Sequence, residues 1–106
     1  MWTRALARRL LGTRITANSL HPGGVATGIF RKGGGILGRI IGVAARAGGK
    51  TPAEGADTAL WLASSDEVEG LTGLFFIDRR SRRCGFVNEA EEEKLYDVCA
   101  RMTQAA

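Results

Sequence analysis

Acidic residues are missing from the first 50 positions, which carry nine arginines and lysines, and all eleven acids fall between Glu54 and Asp97. A single histidine, His21, excludes a histidine-rich metal site and argues against a histidine-based triad. Cys84 and Cys99 are too far apart for a C-x-x-C pair and have no second pair to join, so they read as reduced intracellular thiols. No run of about 18 apolar residues occurs, so no segment qualifies as a membrane-crossing helix. Aromatics are scarce in the basic half, which holds only Trp2 and Phe30. That is too few for the interleaved stacking by which single-stranded nucleic-acid binders hold bases.

What remains suits one small α/β domain: 106 residues, 44% of them apolar, enough for a core. Met1 to Leu20 is Arg-rich and acid-free like a mitochondrial transit peptide, yet it runs without a break into a strand and turn, which favours a folded segment. Trp2, Leu6 and Leu10 recur every four residues with Arg4 and Arg8 on another face, so the spacing predicts an amphipathic helix over 3–11, stopped by Gly12. Ile15 to Leu20 predicts a short strand suited to a parallel sheet. Arg31 to Gly49 is glycine-rich but keeps helical spacing at Ile36, Leu37, Ile40, Ile41 and Ala44, the pattern of a loop with a mobile, lid-like helix. Thr51-Pro52-Ala53-Glu54 is a helix start, with Thr51 as cap, Pro52 in the first helical position and Glu54 closing a capping box; the helix runs to Ser64. Leu71 to Asp78 predicts a second strand, in which Gly73 marks a close approach. Asn88 and Glu91 open a final helix whose buried stripe is Leu95, Val98, Cys99 and Met102. A helical crossover between the strands predicts that they run parallel, and two strands alone leave sheet edges uncovered.

The most informative stretch is Asn18-Ser-Leu-His-Pro-Gly-Gly-Val-Ala-Thr27. Pro22 fixes its own φ and biases His21 toward extended geometry, so the strand ends there. Gly23 and Gly24 remove Cβ atoms where the backbone leaves the strand, which lets a flat ring approach the main chain at the carboxyl end of a parallel sheet. An ordinary strand-end turn is the competing reading.

Two other signals compete for function. Ala44 to Thr51, with Gly48, Gly49, Lys50 and Thr51, fits a relaxed phosphate-loop pattern, and Leu74 to Asp78 resembles its acidic strand. The helical spacing before the glycines and Pro52 after Thr51 fit helix termini instead. Arg79, Arg80, Arg82 and Arg83 form a basic cluster that suits nucleic acid or an anionic membrane surface, or a solvated turn paired with the acids at 89–93. Arg31 to Lys50 likewise suits a membrane surface or the cover of a lipophilic substrate.

Taken in order, these pieces resemble the C-terminal part of short-chain dehydrogenases/reductases, in the retinol-dehydrogenase-like branch. Thr3 to Leu10 looks like the end of the helix that bears the family's catalytic Tyr and Lys, followed by the Pro-Gly motif at 18–27. Lys50 to Ala56 with Leu62 to Ser65 resembles the penultimate helix, Val68 to Gly73 with Phe75 to Asp78 the last strand, and Leu95 to Val98 the closing helix. The resemblance implies a Rossmann-type doubly wound sheet, of which this chain holds the last two strands and about four helices as one partial domain. It also implies hydride transfer between NADP or NAD and a lipophilic alcohol or aldehyde. By position, Pro22 and Gly23 face the nicotinamide, Val25 holds its carboxamide through the main chain, Thr27 adds a hydroxyl, and 31–50 is the substrate lid. The family's catalytic Ser and Tyr-x-x-x-Lys have no counterpart here, since the only tyrosine, Tyr96, lies in the final helix. The expectation is a cytoplasmic or membrane-peripheral chain that is inactive alone and needs the missing N-terminal half.

Overall fold

A computed structural model describes residues 1–25, 35, 36, 39, 40, 43 and 47–104. Helix α1 spans Trp2–Arg9 and ends with Arg8 and Arg9 in its last turn, where cations favour the helix dipole. Strand β1 (Ser19–His21) pairs in parallel with β2 (Phe75–Ile77), Ser19 opposite Phe75 and His21 opposite Ile77. Between them lies α2, Pro52–Ser64, so the predicted parallel crossover is present. Thr51 caps α2 as its sequence requires: the Thr51 hydroxyl accepts from the Glu54 N–H at 3.2 Å, and Glu54 accepts from the Thr51 N–H at 2.7 Å.

The strands are shorter than their apolar runs, because main-chain pairing outside the two three-residue ladders passes partly through side chains. The Asn18 amide donates to the Leu71 carbonyl and accepts from the Leu74 N–H, while the Ala17 N–H donates to the Thr72 hydroxyl. Gly73 lies in the left-handed region at φ +73°, and a Cβ there would meet only the Ala7 methyl at ordinary contact distance. Its backbone conformation is the stronger reason for glycine.

A third strand departs from the expected basic turn. β3 (Arg80–Arg82) folds back antiparallel on β2 to give the sheet order β1-β2-β3. The reversal is made by Asp78 and Arg79, both at positive φ (51° and 58°), which matches the twist a two-residue hairpin turn needs. The acids at 89–93 do not pair with this basic cluster. Three of them, Glu89, Glu92 and Glu93, pair with α1 instead, from the closing helix α3, Glu89–Thr103.

The α1–α3 contact is ionic where a leucine stripe is expected. Glu92 is fully buried and takes Arg4 Nε at 2.8 Å and Arg8 Nη1 at 2.6 Å. Glu93 binds Arg8 and Arg9. Trp2 stacks on Tyr96 at 5.4 Å, and the Arg9 guanidinium lies 3.7 Å from the same ring. Leu95 and Met102 are exposed, and on α1 the buried residues are Ala5 and Ala7 while Trp2 stays partly exposed. The predicted stripes hold only in part, with Leu6, Leu10, Val98 and Cys99 half-buried, because the arginine–glutamate pairs set which faces of the two helices meet.

Hydrophobic burial among the described residues is confined to Ala5, Ala7, Val68 and Phe76, with Trp61 edge-on to Phe76 at 5.7 Å. Leu11, Ile15, Leu60, Phe86 and Val87 are exposed, and β1 sits at an edge of the sheet. An unpaired strand edge is a place where a further strand can add. Both cysteines are free thiols, and no helix among the described residues is long and apolar enough to cross a membrane.

Candidate functional site

Because β1 and β2 are parallel and in register at His21 and Ile77, the turns that follow them lie side by side at one end of the sheet. The first is the Pro-Gly turn. Its Gly23 is at φ +81°, a conformation that favours glycine. The Gly23 N–H donates to His21 Nδ1 at 2.9 Å, so the chain's only histidine serves as a local brace. Pro22 and Gly24 are exposed, and among the described residues a Cβ on Gly24 would meet nothing within 4 Å.

Val25 closes the turn in two ways. Its backbone forms a parallel bridge with Lys50, made by the Lys50 N–H donating to the Gly24 carbonyl at 2.8 Å. Its side chain packs on α2 where Gly55 leaves room: a Cβ at 55 would lie 2.5 Å from Val25 Cγ2. Pro22, Gly23 and Val25 are therefore gathered in one turn at the carboxyl end of β1. The fourth predicted contact, Thr27, lies outside the described residues, as does most of the 31–50 segment. Its described positions 36, 39, 40, 43, 47 and 48 have helical backbone, and Ile36, Ile40 and Val43 are exposed.

The second turn, Asp78-Arg79, is held from two sides. Lys50 pairs with Asp78, and Arg79 pairs with Asp57 of α2 through Nε at 2.7 Å and through Nη2. The Arg79 N–H also donates to the Thr58 hydroxyl, a buried group on α2. Hydrogen bonding to Arg79 holds the Asp57 carboxyl below its ordinary value, and the same bonds raise Arg79. At the head of α2, hydrogen bonds from Thr51 lower Glu54.

These engagements bear on the competing signals. Lys50 is occupied by Asp78 and the Thr51 hydroxyl by the cap of α2, which fits a helix start better than a phosphate loop. No group of three or more His, Cys, Asp or Glu among the described residues is placed to hold a metal. Sequence reasoning missed Lys50, Gly55 and Asp78 as parts of the site. Gly55 did carry a signal, because a glycine in the first turns of an otherwise good helix marks a close approach.

The chain is similar to retinol dehydrogenase 14 of Homo sapiens, 40% identical over 102 residues that make up 92% of this chain and 30% of that protein. It is 36% identical to retinol dehydrogenase 12 of Mus musculus, over 96% of this chain and 32% of that protein. A third relative, retinol dehydrogenase 13 of Mus musculus, is 30% identical over the whole chain and 34% of its own length. The chain thus spans about a third of the length of the curated relatives it matches. No family model and no solved structure matches it.

Proposed function

We propose that this chain, which belongs to the retinol-dehydrogenase-like branch of the short-chain dehydrogenases/reductases and corresponds to its C-terminal part, supplies the cofactor-contact turn and substrate lid of an NAD(P)-dependent oxidoreductase. The carrying observation is the Pro-Gly turn at the carboxyl end of a parallel strand, in a chain 40% identical to a retinol dehydrogenase over nearly its whole length.

In this reading NADP or NAD, when bound, supplies the hydride acceptor or donor. The chain's own residues bind and orient. Pro22 and the glycines offer a flat surface, Val25 holds the carboxamide through its main chain, and Thr27 adds a hydroxyl. A ring fixed at its carboxamide presents one face to the substrate, which favours reaction through near-attack geometry. Residues 31–50 cover a lipophilic alcohol or aldehyde, a class suggested by the relatives' names and by the apolar positions Ile36, Ile40 and Val43. Proton transfer falls to residues of the N-terminal half, because nothing in this chain matches the family's Tyr-x-x-x-Lys.

The test joins these 106 residues to the N-terminal part of human retinol dehydrogenase 14, replacing the matched segment. The chimera should reduce retinaldehyde with a nicotinamide cofactor, while the chain alone stays at background. Thr27→Ala should raise the cofactor KM about fivefold, the worth of one hydrogen bond. Turnover by the chain alone, or a folded chimera that binds no cofactor, would overturn the reading.

A further inference from the structure

Lys50 contacts the Pro-Gly turn in two ways, through its backbone and along its side chain, and the neighbouring hairpin turn in a third. Its N–H donates to the Gly24 carbonyl, its backbone bridges to Val25, and its side chain lies along Gly23: a Cβ on Gly23 would sit 3.4, 3.3 and 3.2 Å from Lys50 Cδ, Cε and Nζ. The ammonium then ends on Asp78, the first residue of the β2–β3 turn. Asp78 is at positive φ, so its carboxylate is aimed by a constrained turn, and Arg79 beside it is tied to α2 through Asp57. The pair itself is exposed, and it is the stem along Gly23 and the constrained turn that set its geometry.

We infer that Lys50 is the positioning residue of the cofactor-contact turn, clasping Gly23 with its stem while Asp78 anchors its charge, so that the two strand ends of the sheet move as one unit. This deepens the proposed function and rests on it for the word cofactor; the clasp itself does not. It also gives Gly23 a second, smaller reason to be glycine, because a Cβ there would press on the lysine stem. The geometry further orders the turn's surfaces: the Cβ side of Gly23 lies against Lys50, so a ring would meet the turn from the other side, at Pro22 and the glycine backbone.

Solvent-exchange NMR on the 106-residue chain reads the clasp without any cofactor. Lys50→Ala should speed exchange of the Gly23 and residue-50 amides about fivefold or more relative to the Ser19 amide, which is bonded to the Leu74 carbonyl in the strand ladder. Lys50→Met, which keeps the stem, should give a smaller rise. Asp78→Asn should match Lys50→Met, and the double variant should be no worse than either single one, because both break the same pair. Equal acceleration at Gly23 and Ser19, as from general loosening, would overturn the inference. So would an unchanged Gly23 rate in Lys50→Ala, or additive effects of Lys50→Met and Asp78→Asn. In the chimera the same Lys50→Ala should raise cofactor KM more than it lowers kcat. A clasp seen by exchange with no cofactor binding would sink the functional reading and leave Lys50's role standing.

Discussion

Gly55→Ala sets two forces of known size against each other. In a solvent-exposed helix the change gains about 0.8–1 kcal/mol, because glycine has the greater backbone freedom to lose. Gly55 has regular helical bonding, its N–H donating to the Thr51 carbonyl at 2.9 Å, so a backbone gain of up to this size applies although the residue is buried. The opposing term comes from Val25. A new methyl would lie 2.5 Å from Val25 Cγ2 and 3.1 Å from Cγ1, well inside the 3.5–4.0 Å at which carbon atoms attract. Something must move by about an ångström, and overpacking of this kind costs about 1–3 kcal/mol. Val25 yields more readily than α2, because it ends a short turn while Gly55 is held by helix hydrogen bonds.

Gly55→Ala should therefore be neutral to destabilising by about 2 kcal/mol, with the damage centred on residues 23–25 and the Lys50 bridge. Val25→Ala removes the colliding methyls. The double variant should recover stability and keep the helix gain, giving a coupling of about 1–3 kcal/mol. Urea unfolding followed by far-UV circular dichroism gives the midpoints, and Val25 methyl shifts report the displacement. A midpoint that rises in Gly55→Ala with Val25 intact, and no coupling in the double variant, would refute the packing argument.

Other substitutions test the frame around the site. Glu92→Gln should loosen α1 from α3 and lower stability by about 2 kcal/mol, below the value for fully buried pairs because Arg4 and Arg8 keep some solvent contact; Glu93→Gln, at a more exposed carboxylate, should lower the midpoint less. Acidification should act through the same groups. Burial pushes the Glu92 carboxyl up but bonds from Arg8 and Arg4 outweigh it, and bonds from Arg8 and Arg9 lower Glu93. Their folded values lie under the ordinary 4.5, so their contribution is complete above that pH and is lost as pH falls through the lowered values, which thermal melts between pH 3 and 7 would register. Thr51→Ala should cost α2 about 1 kcal/mol through its lost cap, read as a lower urea midpoint.

Local rules made the helix starts legible. Thr51, Pro52 and Glu54 state a capping box within four residues, and Asn88 likewise accepts from the Glu91 N–H. The parallel pairing of β1 with β2 followed from the crossover between them, and the Pro-Gly turn from the stop that Pro22 imposes. Strand β3 was hidden because its turn uses Asp78 and Arg79 at positive φ, where sequence patterns lead one to look for Asn-Gly. The α1–α3 contact was hidden for a different reason. Periodicity shows which residues share a helix face, but not that a face of arginines will find a face of glutamates some 85 residues away.

That contact changes the meaning of the charge split. An acid-free first half followed by an acidic second half suggests an external polyanion when charge is counted along the chain. In space, Arg4, Arg8 and Arg9 neutralise Glu92 and Glu93, and Lys50 meets Asp78. Four of the nine basic residues in the first 50 positions thus hold later segments of the same fold, leaving less of the asymmetry for a partner to explain. Of these pairs, Lys50 with Asp78 lies at the sheet's carboxyl end beside the Pro-Gly turn, and the others dock α1 on α3. Arg4, Arg8, Arg9 and Lys50 could join a nucleic-acid site only by giving up these pairs, a cost that any such binding would have to offset.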